Sequence, residues 1–107
     1  MIVDKRIYTL KPGGVPTYMK IYEEYGYKVQ SKHLGTPVGW FYGEVGALNR
    51  ITHIWAFDDL DDRTKKRAAM QADPEWHTYL AKIREADILL AQDNEILIAA
   101  PWSPDPR

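Results

Sequence analysis

The stretch from His53 to Trp76 constrains the fold of this chain more than any other part of it. Alternating apolar residues typical of a strand lead into four aspartates and then into a charged segment with helical spacing. Asp59 is placed to cap the first helix, and Asp62 follows at the third helical position of a capping box. Asp73-Pro74-Glu75 starts a second helix, because aspartate caps a helix and proline is tolerated at its first position. The stretch therefore predicts a strand followed by two consecutive helices.

One further helix and three further strands are predicted in the rest of the chain. β-branched and aromatic residues bounded by glycine and proline indicate strands, expected at residues 2–10, 37–45, 50–57 and 94–100. Apolar residues at steps of three and four predict a helix over residues 15–33. Gly26 lies on the apolar stripe of that helix, and a close approach to the sheet would explain it. With the two consecutive helices counted as one helical segment, the order β-α-β-β-α-β defines a ferredoxin-like α+β fold, a four-stranded antiparallel sheet with helices on one face.

The sheet of this fold is expected to mediate dimer formation. At 107 residues the chain is sized for a single domain, 1–107, in which the proline-rich residues 101–107 form an extended tail. The strands carry apolar or aromatic residues on both faces, for example Trp40 and Tyr42 opposite Phe41. Helices on one side leave the other face uncovered. The same face of a second copy is the simplest cover, so we expect a homodimer.

Composition and charge exclude several classes of function. A net charge of −1, from 14 basic and 15 acidic residues, argues against a nucleic-acid-binding surface. The absence of cysteine excludes disulfide scaffolds, thiolate metal sites and cysteine nucleophiles. The histidines lack zinc-type spacing and the aspartate run lacks the glycine and glutamate of a calcium loop, so we predict no metal and no cofactor. No membrane span and no signal peptide is visible, which predicts a cytoplasmic protein.

His53, Arg63 and Arg67 are the polar residues with the best potential for chemistry. His53 lies in the middle of a predicted strand, where it can act as a general base or hydrogen-bond a ligand; alternatively it is a core histidine satisfied by its neighbours. Arg63 and Arg67 lie one turn apart and can clamp a carboxylate or phosphate. Alternatively they pair with nearby carboxylates such as Asp4. Arg67 is the stronger pocket candidate, because Met70 beside it is apolar.

Aromatic residues supply the candidate walls of a pocket. Such side chains bury large areas and leave few polar groups, as ligand pockets do. The predicted ligand-binding set is Tyr8, Trp40, Tyr42, Trp55 and Trp76, together with Arg63. Packing in the core is the alternative for each of them. Asp4 and Arg6 share a strand face with Tyr8, which predicts a buried ion pair or a subunit contact.

An ordered set of short motifs gives the chain a family resemblance. The motifs are Ile7–Gly13, Gly39, Gly43–Asn49, His53-Ile54-Trp55, Asp59-Leu60, Asp62-Arg63, Arg67-Ala68 and Asp73–Trp76. In this order they resemble the NIPSNAP family, within the dimeric α+β barrel superfamily. The resemblance implies a ferredoxin-like domain whose sheets pair into a barrel. It implies no defined activity, although the wider superfamily includes cofactor-free monooxygenases and haem enzymes, an analogy at the level of fold.

Three hypotheses for function follow. The first is a NIPSNAP-like homodimer that binds a small aromatic or acidic molecule in a pocket between sheet and helices. The second is a cofactor-independent monooxygenase or isomerase, in which His53 takes a proton and Arg67 or a tyrosine hydroxyl stabilises the enolate. The third is a protein-interaction module whose dimer surface is itself the functional element.

Overall fold

Four antiparallel strands form one sheet, and the helices pack against one of its faces. The computed structural model describes residues 1–107. The strands are β1 (Ile2–Leu10), β2 (Gly39–Tyr42), β3 (Arg50–Phe57) and β4 (Leu89–Ile98). The helices are α1 (Gly14–Ile21), α2 (Tyr27–Leu34), α3 (Leu60–Gln71) and α4 (Pro74–Ala86), and a π-helical turn (Tyr22–Gly26) joins α1 to α2. The strand order β2-β3-β1-β4 confirms the predicted ferredoxin-like α+β class, with β3 and β1 in the centre.

The two central strands have their predicted bounds, whereas the two edge strands differ. β2 is shorter than the predicted 37–45, because a loop begins at Gly43. β4 begins at Leu89 rather than at residue 94, since it pairs along the whole length of β1, from Leu10 opposite Leu89 to Ile2 opposite Ile98. Its polar middle has weak strand propensity, so pairing with a central strand outweighs local preference there.

Gly26 allows a close approach between two helical segments. A Cβ atom at this position would lie 2.7 Å from ring atoms of both Tyr22 and Tyr79. Gly26 was predicted to allow a close approach to the sheet. This prediction was wrong, because the close contact is with Tyr79 of α4. The π-helical turn at the same place widens the helix, which is a feature often found at functional sites.

The two predicted helix starts are confirmed by their capping hydrogen bonds. The Asp59 side chain accepts from the Asp62 backbone N–H at 2.8 Å, and the Asp73 side chain accepts from the Glu75 N–H at 2.9 Å. Each bond satisfies an N–H that has no partner inside its helix. These caps fix where α3 and α4 begin and therefore which of their residues face the sheet.

Strand alternation separates a packed face of the sheet from an open one. Ile51, His53, Trp55 and Phe57 of β3 face the helices and are buried. Apart from Ala56, residues of the opposite face are partly or largely exposed, and Phe41 is 56% exposed. The open face is therefore apolar in part and has no cover from the helices. No helix has both the length and the apolar character needed to cross a membrane.

Candidate functional site

A cavity of about 270 Å³ lies between the sheet and the helices. Its polar lining residues are Arg6, Tyr8, Tyr18, Gln30, Arg67, Gln71, Tyr79, Arg84 and Gln92, and its apolar ones are Trp76, Leu80, Ile83 and Leu89. The lining includes three arginines but no carboxylate. Tyr18 and Tyr79 are buried, so they mark the inner end of the cavity. Arg84 and Gln92 are exposed, so they mark its mouth.

Arg67 brings an uncompensated positive charge into this cavity. It makes no ion pair or side-chain hydrogen bond, and its side chain is partly buried. Burial, followed by the charges of Arg6 and Arg63, lowers its pKa, although an arginine stays protonated at neutral pH. A partly desolvated guanidinium without a counterion is a favourable binding group for an organic anion.

Arg63, one turn before Arg67 on α3, is paired with the buried carboxylate of Asp4. Its Nε donates to Asp4 Oδ2 at 3.0 Å, and Arg6 Nη1 donates to the same oxygen at 3.2 Å. Asn94 Nδ2 donates to the other oxygen at 3.4 Å. Asp4 is only 1% exposed, so the predicted buried ion pair with Arg6 is confirmed. Arg63 therefore holds α3 to the sheet and does not line the cavity.

Two of the five predicted aromatic residues line the cavity. Tyr8 and Trp76 are in its wall, whereas Trp55 is fully buried beneath it and Tyr42 is exposed at the sheet edge. Trp40 stacks on Tyr22, with ring centroids 5.0 Å apart, and its indole is likewise outside the lining. The sequence could not separate these groups, since the strand register and helix rotation decide which rings reach the cavity.

The cavity also contains a pair of tyrosines that the sequence reasoning missed. Tyr18 from α1 and Tyr79 from α4 share a hydroxyl–hydroxyl hydrogen bond of 2.7 Å, and each is 3% exposed. Burial raises the pKa of both phenols, so both are neutral at physiological pH. The available signal was weak. Tyr18 is not among the residues at steps of three and four that predict the first helix, which are Val15, Met19, Tyr22, Gly26, Val29 and His33. Tyr79 lies only beside the corresponding stripe of α4, which contains Trp76, Leu80 and Ile83.

His53 packs behind the cavity wall and does not line the cavity. Its ring lies 4.9 Å from the Tyr8 ring, edge to face, and its Nδ1 accepts from Trp55 Nε1 at 2.7 Å. Because Nδ1 is an acceptor, the neutral ring carries its proton on Nε2. Burial and then the Arg6 charge lower the pKa of His53 to about 3. These features favour a neutral packing residue, and the proton-abstracting role stays a prediction.

Together, the fold and the cavity define a ferredoxin-like α+β protein with an arginine-lined space between sheet and helices. Residues 3–104 match the model of the NIPSNAP family. The chain belongs to this family, which confirms the resemblance that the motifs indicated.

Relatives and solved structures agree with this assignment. Protein NipSnap homolog 3A of Homo sapiens is 30% identical over 102 residues, covering 91% of this chain and 38% of that protein. The chain thus spans about two fifths of the length of that relative. A crystal structure of an Agrobacterium tumefaciens NIPSNAP family protein of unknown function is 45% identical, with a TM-score of 0.90 over 97% of this chain and 92% of that one. An antibiotic biosynthesis monooxygenase is 13% identical with a TM-score of 0.64, covering 94% and 100%, a likeness of fold alone.

Proposed function

We propose that the protein binds a small organic anion, a carboxylate attached to a ring, in the cavity between sheet and helices. The observation that carries this proposal is the Arg67 guanidinium, which lines the cavity and has no acidic partner. Arg6 lines the same cavity but already bonds Asp4 and the Tyr8 hydroxyl. Arg67 is thus the group available for the charge of a ligand, and Arg84 at the mouth adds attraction for an approaching anion.

The size and walls of the cavity favour a ligand with one ring. A cavity of roughly 150 Å³ holds benzene, so about 270 Å³ accommodates a ring with a short charged substituent. Trp76 and Tyr79 provide aromatic surfaces, and Leu80 and Ile83 provide aliphatic ones. This combination of apolar walls with a few polar groups is the usual composition of small-molecule sites.

Replacing Arg67 with glutamine is expected to weaken the binding of phenylacetate by about tenfold. The loss reflects removal of a charge-assisted hydrogen bond to the carboxylate, worth about 1.5 kcal/mol or more. Titration calorimetry of wild type and R67Q with phenylacetate measures the difference. Stability should not fall in this variant, because Arg67 has no partner to lose and lies near the like charges of Arg6 and Arg63.

Arg63→Gln is the matched control, since it removes the same charge one turn earlier on the same helix. Arg63 bonds Asp4 and is outside the cavity, so this variant should lose stability while it keeps its affinity for phenylacetate. Equal losses of affinity in the two variants would indicate a general electrostatic effect and would contradict an Arg67 site. Absence of binding by the wild type to any ring carboxylate would contradict the proposal as a whole.

The enzymatic alternative, a cofactor-independent monooxygenase or isomerase using His53 as base, has less support. Its argument rests on fold likeness to a monooxygenase, and fold alone does not determine activity. His53 has its Nδ1 engaged by Trp55 and a pKa lowered to about 3, which makes it a weak base at neutral pH. The interaction-module alternative depends on the same open sheet face as the dimer.

We also propose that the protein forms a homodimer through the open face of the sheet. Supporting this, Val3 and Leu97 are register partners on that face, and Lys5 and Glu95 are adjacent register partners beside them. A twofold-related copy can cover the apolar residues and meet these opposite charges with its own.

Ile54, in the central strand β3, is the position at which this dimer can be tested. Ile54→Lys places a charge in the centre of the proposed interface, so we expect a shift from dimer to monomer in sedimentation velocity at micromolar concentration. Lys66→Ala, on the helix side of the molecule, should remain dimeric. A wild-type protein that sediments as a stable 12.4 kDa particle would contradict the dimer.

A further inference from the structure

We infer that the anion bound in the cavity carries a carbonyl oxygen in addition to its carboxylate, and that the Tyr18–Tyr79 hydroxyl pair donates to that oxygen. The inference rests on the proposed function, which places a ring carboxylate in this cavity. It adds a second point of recognition at the inner end, away from Arg84 at the mouth. The ligand class is thereby narrowed from ring carboxylates in general to oxo carboxylates.

The hydrogen count of the two hydroxyls is the observation behind this inference. Tyr18 and Tyr79 together carry two hydroxyl hydrogens, and their mutual bond of 2.7 Å uses one of them. Neither hydroxyl has any other hydrogen-bond partner in the structure. One O–H hydrogen therefore remains without an acceptor, on side chains that are each 3% exposed and line the cavity. Buried polar hydrogens are rarely left unpaired, so an acceptor from a ligand is the natural partner.

The nature of the acceptor follows from the charges around it. Burial raises the pKa of both phenols, so the tyrosine pair offers one hydrogen-bond donor and no charge of its own. A second carboxylate placed there would lose its hydration with only one hydrogen bond in return. A carbonyl oxygen accepts the free hydrogen and brings no hydrogen that itself needs an acceptor. A neutral carbonyl is thus the group that best fits the tyrosine pair.

Two pairs of probes that differ by one carbonyl test the inference. Benzoylformate differs from phenylacetate, and 4-oxo-4-phenylbutanoate from 4-phenylbutanoate, by a carbonyl in place of a methylene group. With the wild-type protein, the oxo member of at least one pair should bind about three- to tenfold more tightly, as expected for one additional hydrogen bond. Titration calorimetry of the four compounds measures these ratios.

The double variant Tyr18→Phe/Tyr79→Phe identifies the donor. Each single variant keeps one hydroxyl with its hydrogen, whereas the double variant removes both partners together and leaves no unpaired group. The oxo advantage should therefore disappear in the double variant, while the methylene compounds bind as before. Tyr27→Phe, outside the cavity, is the control and should keep the advantage.

Each outcome separates this inference from the proposed function. If the two members of both pairs bind the wild type equally, or if the oxo advantage survives in the double variant, the carbonyl inference is overturned and the ring-carboxylate site stands. If none of the four compounds binds, the proposed function fails, and the inference fails with it. Circular dichroism shows whether the double variant folds. If it does not fold, the affinity ratios of the wild-type protein still test the carbonyl preference, because they do not depend on that variant.

Discussion

Replacement of Asp4 by alanine is expected to lower the free energy of unfolding by about 3 kcal/mol. The Asp4 carboxylate is 1% exposed and accepts from Arg6, Arg63 and Asn94. Without it, two guanidiniums that are mostly withdrawn from water lose their only counterion, and Arg67 adds a third positive charge nearby. The expected value is at the lower end for a broken buried pair, because both arginines retain some contact with solvent.

Urea unfolding of the Asp4→Ala variant measures this loss. Asp61→Ala is the matched control, since Asp61 pairs with Lys65 one turn away but both side chains are largely exposed. An exposed pair of this kind contributes roughly 0.5 kcal/mol or less. A destabilisation of Asp4→Ala no larger than that of Asp61→Ala would show that the buried network does not stabilise the fold. Combining Asp4→Ala with Arg63→Leu should recover part of the loss, because the second change removes one unpaired charge.

Lowering the pH from 7 to 5 is expected to reduce the free energy of unfolding by about 2 kcal/mol through His53 alone. In the unfolded chain His53 titrates near an ordinary pKa of about 6.5, whereas burial and Arg6 lower its pKa in the fold to about 3. Between these values the unfolded chain binds a proton that the folded chain does not. The contribution of His53 to the free energy of unfolding is therefore fully present above the pKa of the unfolded chain. It is lost as the pH falls towards the pKa of the folded protein.

Urea unfolding at pH 7 and pH 5 tests the contribution of His53 against that of another histidine. His77→Gln should keep the full pH dependence, because His77 is exposed and bonds the Gln71 carbonyl at the surface. His53→Gln should show a much smaller difference between the two pH values. A pH effect of unchanged size in His53→Gln would assign the titration to other groups. Asp73 does not interfere, since its pKa is lowered to about 2 by the His33 hydrogen bond and lies below this range.

Secondary structure was predicted correctly where it depends on interactions between residues that are close together in the chain. The starts of α3 and α4 follow from Asp59 and from Asp73-Pro74, whose side chains act on backbone groups two or three residues away. The bounds of β1 and β3 follow from alternation and composition, which a central strand satisfies along its whole length. β4 was predicted at residues 94–100, but it extends from Leu89 to Ile98. Its start was placed too late, because the polar residues 92 and 93 are held in the sheet by β1 and not by their own propensity.

The candidate site was only partly predictable, because it depends on contacts between residues that are far apart in the chain. Of the predicted site residues, Arg67, Tyr8 and Trp76 line the cavity, and their role in binding stays a prediction. Four others do not line it: Arg63, Trp40, Tyr42 and Trp55. The tyrosine pair was missed altogether, since Tyr18 and Tyr79 are far apart in the chain and their hydroxyls meet only when α1 and α4 pack together. The residues next to Tyr18 and those next to Tyr79 do not predict the hydrogen bond between the two hydroxyls.

The sequence by itself determined the order of elements, the caps and the family to which the chain belongs. These depend on short-range chemistry: side-chain hydrogen bonds to nearby backbone, the alternation of strands and the spacing of helical residues. The tertiary structure alone decided which arginine is free, which rings enclose the cavity and which hydroxyls meet inside it. Those outcomes depend on register and helix rotation, where a shift of one residue turns a side chain from the cavity to the core or to solvent.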